Sequence, residues 1–275
     1  AVRALLLLHR ALAPPGLERV FFSDNGSPAV EVALKMALQA HAHDGRPERR
    51  VFVALQGGYH GDTFGAMAVG DPDPFFLPFV PLLFEVVRVP PDAAAVAKAL
   101  DGLGDRAAGV VLEPLVQGAA GMVMHGVEFV RAVRELCTAR SLPLVADEVM
   151  TGFGRTGRDF AVQHAGITPD LLCLSKALTG GTLPLAATLA PAAVHDAFLH
   201  EDMRRGFLHG HTFTANPIAC AAANASLAIG GSLPRGAPPL RDRGPRPPTP
   251  PPPAPPGGVV GAARPPLDVH SLSRS

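Results

Sequence analysis

The chain has 275 residues, of which 47% are hydrophobic and 17% are charged. This composition is typical of a globular protein with one large core. The 24 basic side chains balance the 24 acidic ones. The chain therefore lacks the excess of basic residues that would predict binding to nucleic acid or to an anionic membrane surface. The three cysteines are widely spaced; they exclude a complete disulfide framework, predict no metal site and favour the reducing cytoplasm.

The first residue is Ala1 rather than Met, so we expect the natural start to be missing. The apolar run Leu5–Leu8 is too short to span a bilayer. It predicts an amphipathic helix that ends near Pro14, and the core of a signal peptide is the alternative.

Residues 1–229 alternate between strand-like and helix-like segments. The predicted strands are short apolar runs bounded by turn residues: Arg19–Ser23, Arg50–Leu55, Ala108–Glu113, Leu142–Asp147, Leu171–Ser175 and Leu185–Ala190. The predicted helices carry an apolar stripe or a capping signal: Pro28–His41, Glu128–Arg140, and Pro217–Ile229 with Asn216 as its N-cap. This alternation predicts an α/β domain with a mainly parallel sheet covered by helices on both faces.

The composition changes after Gly230. The last 45 residues hold 14 of the 30 prolines and show neither helical nor strand periodicity. Such a segment cannot bury enough apolar surface to offset its chain entropy, so residues 230–275 are predicted to be a proline-rich, disordered tail. A ligand for a proline-binding module and translation in a wrong frame are the alternatives.

Two turns that follow predicted strands are candidates for ligand binding. Residues 23–28 run from a strand into a helix start, where free backbone N–H groups and the hydroxyl of Ser27 suit a phosphate. An ordinary capped turn is the alternative. Residues 57–63 surround the only tyrosine, Tyr59, with glycines. Its ring can stack on a planar ligand, or it can simply close the sheet edge.

Two further strands end in residues that can carry chemistry. Asp147 lies at the end of an apolar strand, where it can pair with a protonated ring nitrogen or cap the next loop. Lys176 follows another apolar strand and precedes a turn of small residues. A desolvated lysine there is a nucleophile toward aldehydes, and a snorkelling surface lysine is the alternative. Together the four features are what pyridoxal 5'-phosphate needs.

Longer motifs carry a resemblance to a known family. Residues 147–157 and 174–181 resemble class III aminotransferases of fold type I, which depend on pyridoxal phosphate. Residues 59–67, 169–174 and 209–223 are similar to a narrower family within that class, the diaminopelargonic acid aminotransferases of biotin biosynthesis. The resemblance implies that residues 1–229 are the cofactor-binding large domain, incomplete at its N-terminus, and that the family's C-terminal small domain is missing.

The resemblance also implies roles for individual residues. Lys176 would hold the cofactor as a Schiff base, contact the substrate and move a proton during transamination. Asp147 would keep the pyridine nitrogen protonated, and Tyr59 would stack near the ring and touch the substrate. Gly26 and Ser27 would bind the phosphate.

A last matching segment implies a homodimer with active sites at its interface. In the family this segment reaches the neighbouring subunit, so His211 and Thr212 would contact its phosphate and Gly210 its substrate. S-adenosylmethionine would donate the amino group to 8-amino-7-oxononanoate, giving 7,8-diaminononanoate.

The sequence departs from the family at several positions. His211 replaces a proline and Ala120 a glycine, the chain has no tryptophan, and no arginine of residues 230–275 matches the family's carboxylate-binding arginine. These departures leave two alternatives open. One is another class III enzyme that acts on diamines or ω-amino acids, and the other is an inactive fragment.

Overall fold

The computed structural model describes residues 12–232. The expectation of an N-terminal helix over the Leu5–Leu8 run therefore lies outside the described residues. So does the expectation of a disordered tail, except that residues 230–232 continue the last helix.

A seven-stranded sheet forms the centre of the described chain, with the strand order β1-β9-β8-β7-β4-β2-β3. Strands β8, β7, β4, β2 and β3 run parallel to one another, whereas β9 is antiparallel to both of its neighbours. The short strands β5 and β6 form a separate hairpin. In chain order the strands are β1 (Arg19–Ser23), β2 (Val51–Leu55), β3 (Val86–Val89), β4 (Ala107–Leu112), β5 (Val116–Gln117), β6 (Val123–Met124), β7 (Leu144–Asp147), β8 (Leu171–Leu174) and β9 (Ala186–Ala190).

Helices cover the sheet on both faces. They are α1 (Gly26–His43), α2 (Phe64–Val69), α3 (Ala93–Leu103), α4 (Val127–Ala139), α5 (Val162–Ala165), α6 (Ala192–Asp196) and α7 (Pro217–Ser232). Four short 3-10 helices lie between them: Leu77–Leu82, Gly104–Arg106, Lys176–Thr179 and Met203–Arg205. The predicted mainly parallel, two-sided sheet is thereby confirmed.

Alternate residues of each strand pack on opposite faces, as the period of a strand requires. In β2, Phe52 and Ala54 belong to the core cluster beneath α1, whereas Val53 and Leu55 pack with α3 and α4. In β8, Leu172 and its neighbours on the same face pack under α7. Because both faces are buried, the strands read as continuous apolar runs in the sequence.

The predicted segments lie where the sequence places them, with ends that differ by at most three residues. The side chain of Asn216 accepts the N–H of Ala219 at 2.8 Å, which confirms the predicted N-cap of α7. The sequence analysis missed β3 and α3, together with the short elements α2, α5, α6, β5 and β6. Strand β3 is a short edge strand interrupted by Arg88, whose guanidinium donates to the carbonyls of Ala68 and Gly70.

Within residues 12–232, no helix is both long and apolar enough to cross a bilayer. The three cysteines are buried free thiols.

The packing under α7 predicts a large stability loss for Leu172→Ala. Leu172 is fully buried, so truncation removes apolar contacts and leaves a cavity, and we expect a loss of about 2–5 kcal/mol in the free energy of unfolding. The control Leu199→Ala removes a side chain that is 64% exposed and should change it by about 0.5 kcal/mol or less. Urea titration followed by circular dichroism measures both, and equal midpoints would contradict this packing.

Candidate active site

The carboxyl ends of the parallel strands meet at one edge of the sheet, which is where α/β proteins bind ligands. A cavity of about 640 Å³ lies at this edge. Its lining includes five of the residues singled out in the sequence: Gly26, Ser27, Tyr59, Asp147 and Lys176. Residues that are up to 150 positions apart in the chain are therefore brought to one place.

Asp147 is the last residue of β7 and lies almost fully buried at the base of the cavity. Its Oδ2 is 2.7 Å from Nδ1 of His60. Its Oδ1 accepts the N–H of Val149 at 3.0 Å, so the loop-capping alternative describes one of its two oxygens. Burial lowers the pKa of His60, but the hydrogen bond and charge of Asp147, together with the charge of Glu113, outweigh burial and raise it.

The start of α1 forms one wall of the cavity. Asn25 caps the helix by accepting the N–H of Ser27 at 3.2 Å. The hydroxyl oxygen of Ser27 accepts the N–H of Asp62 at 3.0 Å, so its own proton remains available for a ligand. Free N–H groups and the helix dipole make this wall suitable for an anion such as a phosphate.

Two glycines let this wall form. A Cβ on Gly26 would lie 2.7 Å from a methyl group of Val149. A Cβ on Gly61 would overlap the Ser27 hydroxyl, and Gly61 also has a φ of +118°. Among the glycines around Tyr59, Gly61 is therefore explained by its close approach to the start of α1.

Tyr59 lies on the lining of the cavity with its ring half-buried. Its ring is nearly parallel to that of Phe76, at 5.9 Å and 20°, and meets the edge of Phe75 at 5.6 Å. The hydroxyl donates to Asp62 at 3.1 Å. These contacts fix the orientation of the Tyr59 ring on the lining of the cavity, and its stacking on a ligand stays a prediction.

Lys176 follows β8 and begins a short 3-10 helix. Its φ of +42° is uncommon for a residue with a side chain and is often a mark of a functional position. The sequence analysis expected a desolvated lysine, and this was wrong, because Lys176 lines the cavity but is exposed. Its neighbour Ser175 is buried and donates to the carbonyl of Leu185 at 2.8 Å, which anchors the turn.

The structure does not bring Gly210, His211 and Thr212 to this cavity. All three are exposed, and Nδ1 of His211 lies 2.6 Å from the carboxylate of Asp24. Their contact with a neighbouring subunit stays a prediction.

Three polar residues that line the cavity or support its walls were not singled out individually from the sequence. His60 lies in the same short motif as Tyr59. Glu113 directly follows β4, and its carboxylate accepts the N–H groups of Tyr59 at 3.1 Å and Gly118 at 3.0 Å. The rule that singled out Asp147, an acid at the end of an apolar strand, also identifies Glu113.

Glu148 is the third missed residue and is completely buried. Its carboxylate accepts the N–H groups of Ala161 at 2.7 Å and Val162 at 2.9 Å and the hydroxyl of Thr151 at 3.1 Å. Burial raises the pKa of Glu148 from 4.5 to about 7, although these donors oppose the shift. Glu148 thereby ties the loop after β7 to the start of α5.

The raised pKa of Glu148 predicts a pH-dependent stability. The folded chain keeps this proton up to about pH 7, whereas the unfolded chain loses it near pH 4.5. The contribution of this bound proton to the free energy of unfolding is therefore complete below pH 4.5 and is lost as the pH rises to about 7. Relative to Glu148→Gln, the wild-type free energy of unfolding should fall by up to about 1.4 kcal/mol per pH unit across this window. Denaturation at a series of pH values tests this; the exposed variant Glu135→Gln is the control, and a constant difference would contradict it.

The contact between Gly61 and Ser27 predicts that Gly61→Ala damages the anion-binding wall. The added methyl group overlaps the Ser27 hydroxyl and the positive φ is strained, so we expect a loss above the roughly 1–3 kcal/mol of backbone strain alone. Gly121→Ala is the matched control, since Gly121 has a φ of +87° with no heavy atom near its Cβ position. Thermal unfolding compares the two, and equal losses would contradict the clash.

Known proteins resemble this chain over most of its described length. The family model for aminotransferase class III matches residues 3–231. An adenosylmethionine-8-amino-7-oxononanoate aminotransferase of Geobacter sulfurreducens is 47% identical over 247 residues, covering 82% of this chain and 54% of the relative. The enzyme of that name from Synechococcus elongatus is 51% identical over 233 residues, covering 79% and 54%.

The solved structures agree with the fold. The crystal structure of adenosylmethionine-8-amino-7-oxononanoate aminotransferase from Methanocaldococcus jannaschii aligns with a TM-score of 0.79 and 38% identity, over 83% of this chain and 55% of that one. The predicted fold class is confirmed. The chain spans about half the length of the curated relatives it matches, and it belongs to the class III aminotransferase family.

Proposed function

We propose that the chain binds pyridoxal 5'-phosphate and transfers amino groups. The observation that carries the proposal is that an anion-binding helix start, an aromatic face, a buried acid and a lysine line one cavity of about 640 Å³. Each fits one part of the cofactor: its phosphate, its ring, its ring nitrogen and its aldehyde carbon. Bound pyridoxal phosphate supplies an electron sink that makes the hydrogen on the substrate's Cα acidic.

The residues of the chain would bind and orient the cofactor and would move the proton. Gly26 and Ser27 would bind the phosphate through backbone N–H groups and the free hydroxyl proton. Asp147 would accept a hydrogen bond from the ring nitrogen and thereby keep it protonated. Tyr59 would support the ring. The Nζ of Lys176 would hold the cofactor covalently and would carry a proton to and from the substrate's Cα.

We propose S-adenosylmethionine as the amino donor and 8-amino-7-oxononanoate as the acceptor, with 7,8-diaminononanoate as the product. The support is the name shared by relatives that are 47% and 51% identical. The cofactor-binding large domain would extend to the end of the last helix at residue 232, and residues 233–275 would be a proline-rich tail. The three buried free thiols are compatible with the cytoplasm.

We further propose that the working unit is a homodimer. An apolar surface, which we call the 64–84 surface, leaves large side chains exposed beside Tyr59: Phe64, Phe75, Leu77, Phe79, Val80, Leu82 and Phe84. Exposed apolar surface of this extent marks an interaction site. A second copy would cover it, and the partner's His211, Thr212 and Gly210 would reach the phosphate and substrate.

The proposed attachment point gives a direct test. Pyridoxal phosphate is added to the full chain, the mixture is reduced with borohydride, and peptides are mapped by mass spectrometry. We expect the pyridoxyl mass on Lys176, its loss in Lys176→Ala, and no change in Lys98→Ala, which removes another exposed lysine. Labelling spread over all three lysines of the chain would refute specific attachment.

The same preparation distinguishes the substrates. With S-adenosylmethionine as donor and 8-amino-7-oxononanoate as acceptor, we expect 7,8-diaminononanoate by mass spectrometry. Turnover only with a diamine or β-alanine would favour the wider class III activity. Specific labelling of Lys176 without turnover of any donor would show that the chain retains the cofactor site alone.

A further inference from the structure

A buried ion-pair partner holds the acid at the base of the cavity. His60 and Asp147 are 87 positions apart in the sequence, yet Nδ1 and Oδ2 lie 2.7 Å apart. The side chains retain only 1% and 5% of their exposure. Water is therefore excluded from this contact, and a hydrogen bond in such surroundings is costly to lose.

The carboxylate of Asp147 is held at both oxygens. While Oδ2 faces His60, Oδ1 accepts the N–H of Val149 at 3.0 Å. Two contacts on opposite oxygens fix the plane of the carboxylate. Each oxygen keeps a second lone pair, and Asp147 lines the cavity, so acceptor capacity remains for a donor that enters there.

The imidazole has one hydrogen bond, at Nδ1. Its Nε2 is buried and has no hydrogen-bond partner among the described residues. A Cβ on Gly58 would lie 3.2 Å from Nε2 and 3.0 Å from the carbonyl oxygen of Leu55, so the backbone of the glycine turn packs against the ring. A carboxylate can only accept, and therefore Nδ1 carries the proton that joins the two groups.

We propose that His60 is a positioning residue: its Nδ1–H holds the Asp147 carboxylate so that its remaining lone pairs face the ring nitrogen of a bound pyridine cofactor. This rests on the proposed function. His60 also lines the cavity, but in this role it acts on the ring nitrogen through Asp147. Its effect is therefore confined to ligands that present a ring nitrogen.

Two variants with the same side-chain skeleton separate the hydrogen bond from the packing. His60→Leu and His60→Asn both shorten the ring to a forked side chain, but Asn places an N–H donor where Nδ1 stood. The probes are pyridoxal phosphate and its 1-deaza analogue, in which carbon replaces the ring nitrogen. Absorbance titration of the full chain measures the affinity for each.

We expect His60→Leu to weaken the binding of pyridoxal phosphate about tenfold and to leave the binding of the deaza analogue within about twofold. His60→Asn should restore most of the lost affinity. Equal weakening of both ligands, or no weakening of either, would overturn the positioning role. Failure of the wild type itself to bind pyridoxal phosphate would instead refute the proposed function.

The ligand-free wild type provides a second measurement that needs no variant. Nitrogen-15 chemical shifts of the His60 ring report which nitrogen carries a proton. A protonated Nδ1 supports the proposal. A ring protonated at Nε2 alone would overturn it, whatever the stability of the variants.

Discussion

The parallel alignment of β4 and β7 is the constraint on which the site depends. Backbone pairing places Val110 opposite Leu144 and Leu112 opposite Ala146, so the two strands end side by side. Glu113 and Asp147 are the next residues available at that edge, and β8 brings Lys176 to it from the other side. No contact between these side chains is needed to gather them, because the register of the sheet does so.

Gathering acids at a buried edge carries an electrostatic cost that neighbouring donors must offset. Glu113 receives the N–H groups of two loops, Glu148 receives those of Ala161 and Val162, and Asp147 receives one from Val149 and one from His60. Each carboxylate thereby holds the backbone of a neighbouring loop against the end of a strand. Rigid walls around the cavity are thus a consequence of satisfying buried charge.

Local patterns in the sequence reveal the strands, the capped start of α1 and the residues at strand ends, because each depends on a few neighbouring residues. They do not reveal the His60–Asp147 contact, which joins residues 87 positions apart. Nor do they reveal the exposure of Lys176, since an apolar strand before a lysine says nothing about what covers it. The edge strand β3 was not predicted for a related reason. Its charged residue Arg88 interrupts the apolar pattern, and the carbonyls that accept its hydrogen bonds lie far from it in the sequence.

The exposure of Lys176 also bears on how the proposed chemistry is divided. An amine open to water must lose that water before its Nζ can work on a substrate carbon. The described residues form the walls and the floor of the cavity. The apolar side chains of the 64–84 surface are exposed in the single chain. In the proposed dimer, a bound ring and a second subunit would together displace that water. In the proposed dimer both chains would then contribute to cofactor capture, and proton transfer at Cα would require the assembled dimer.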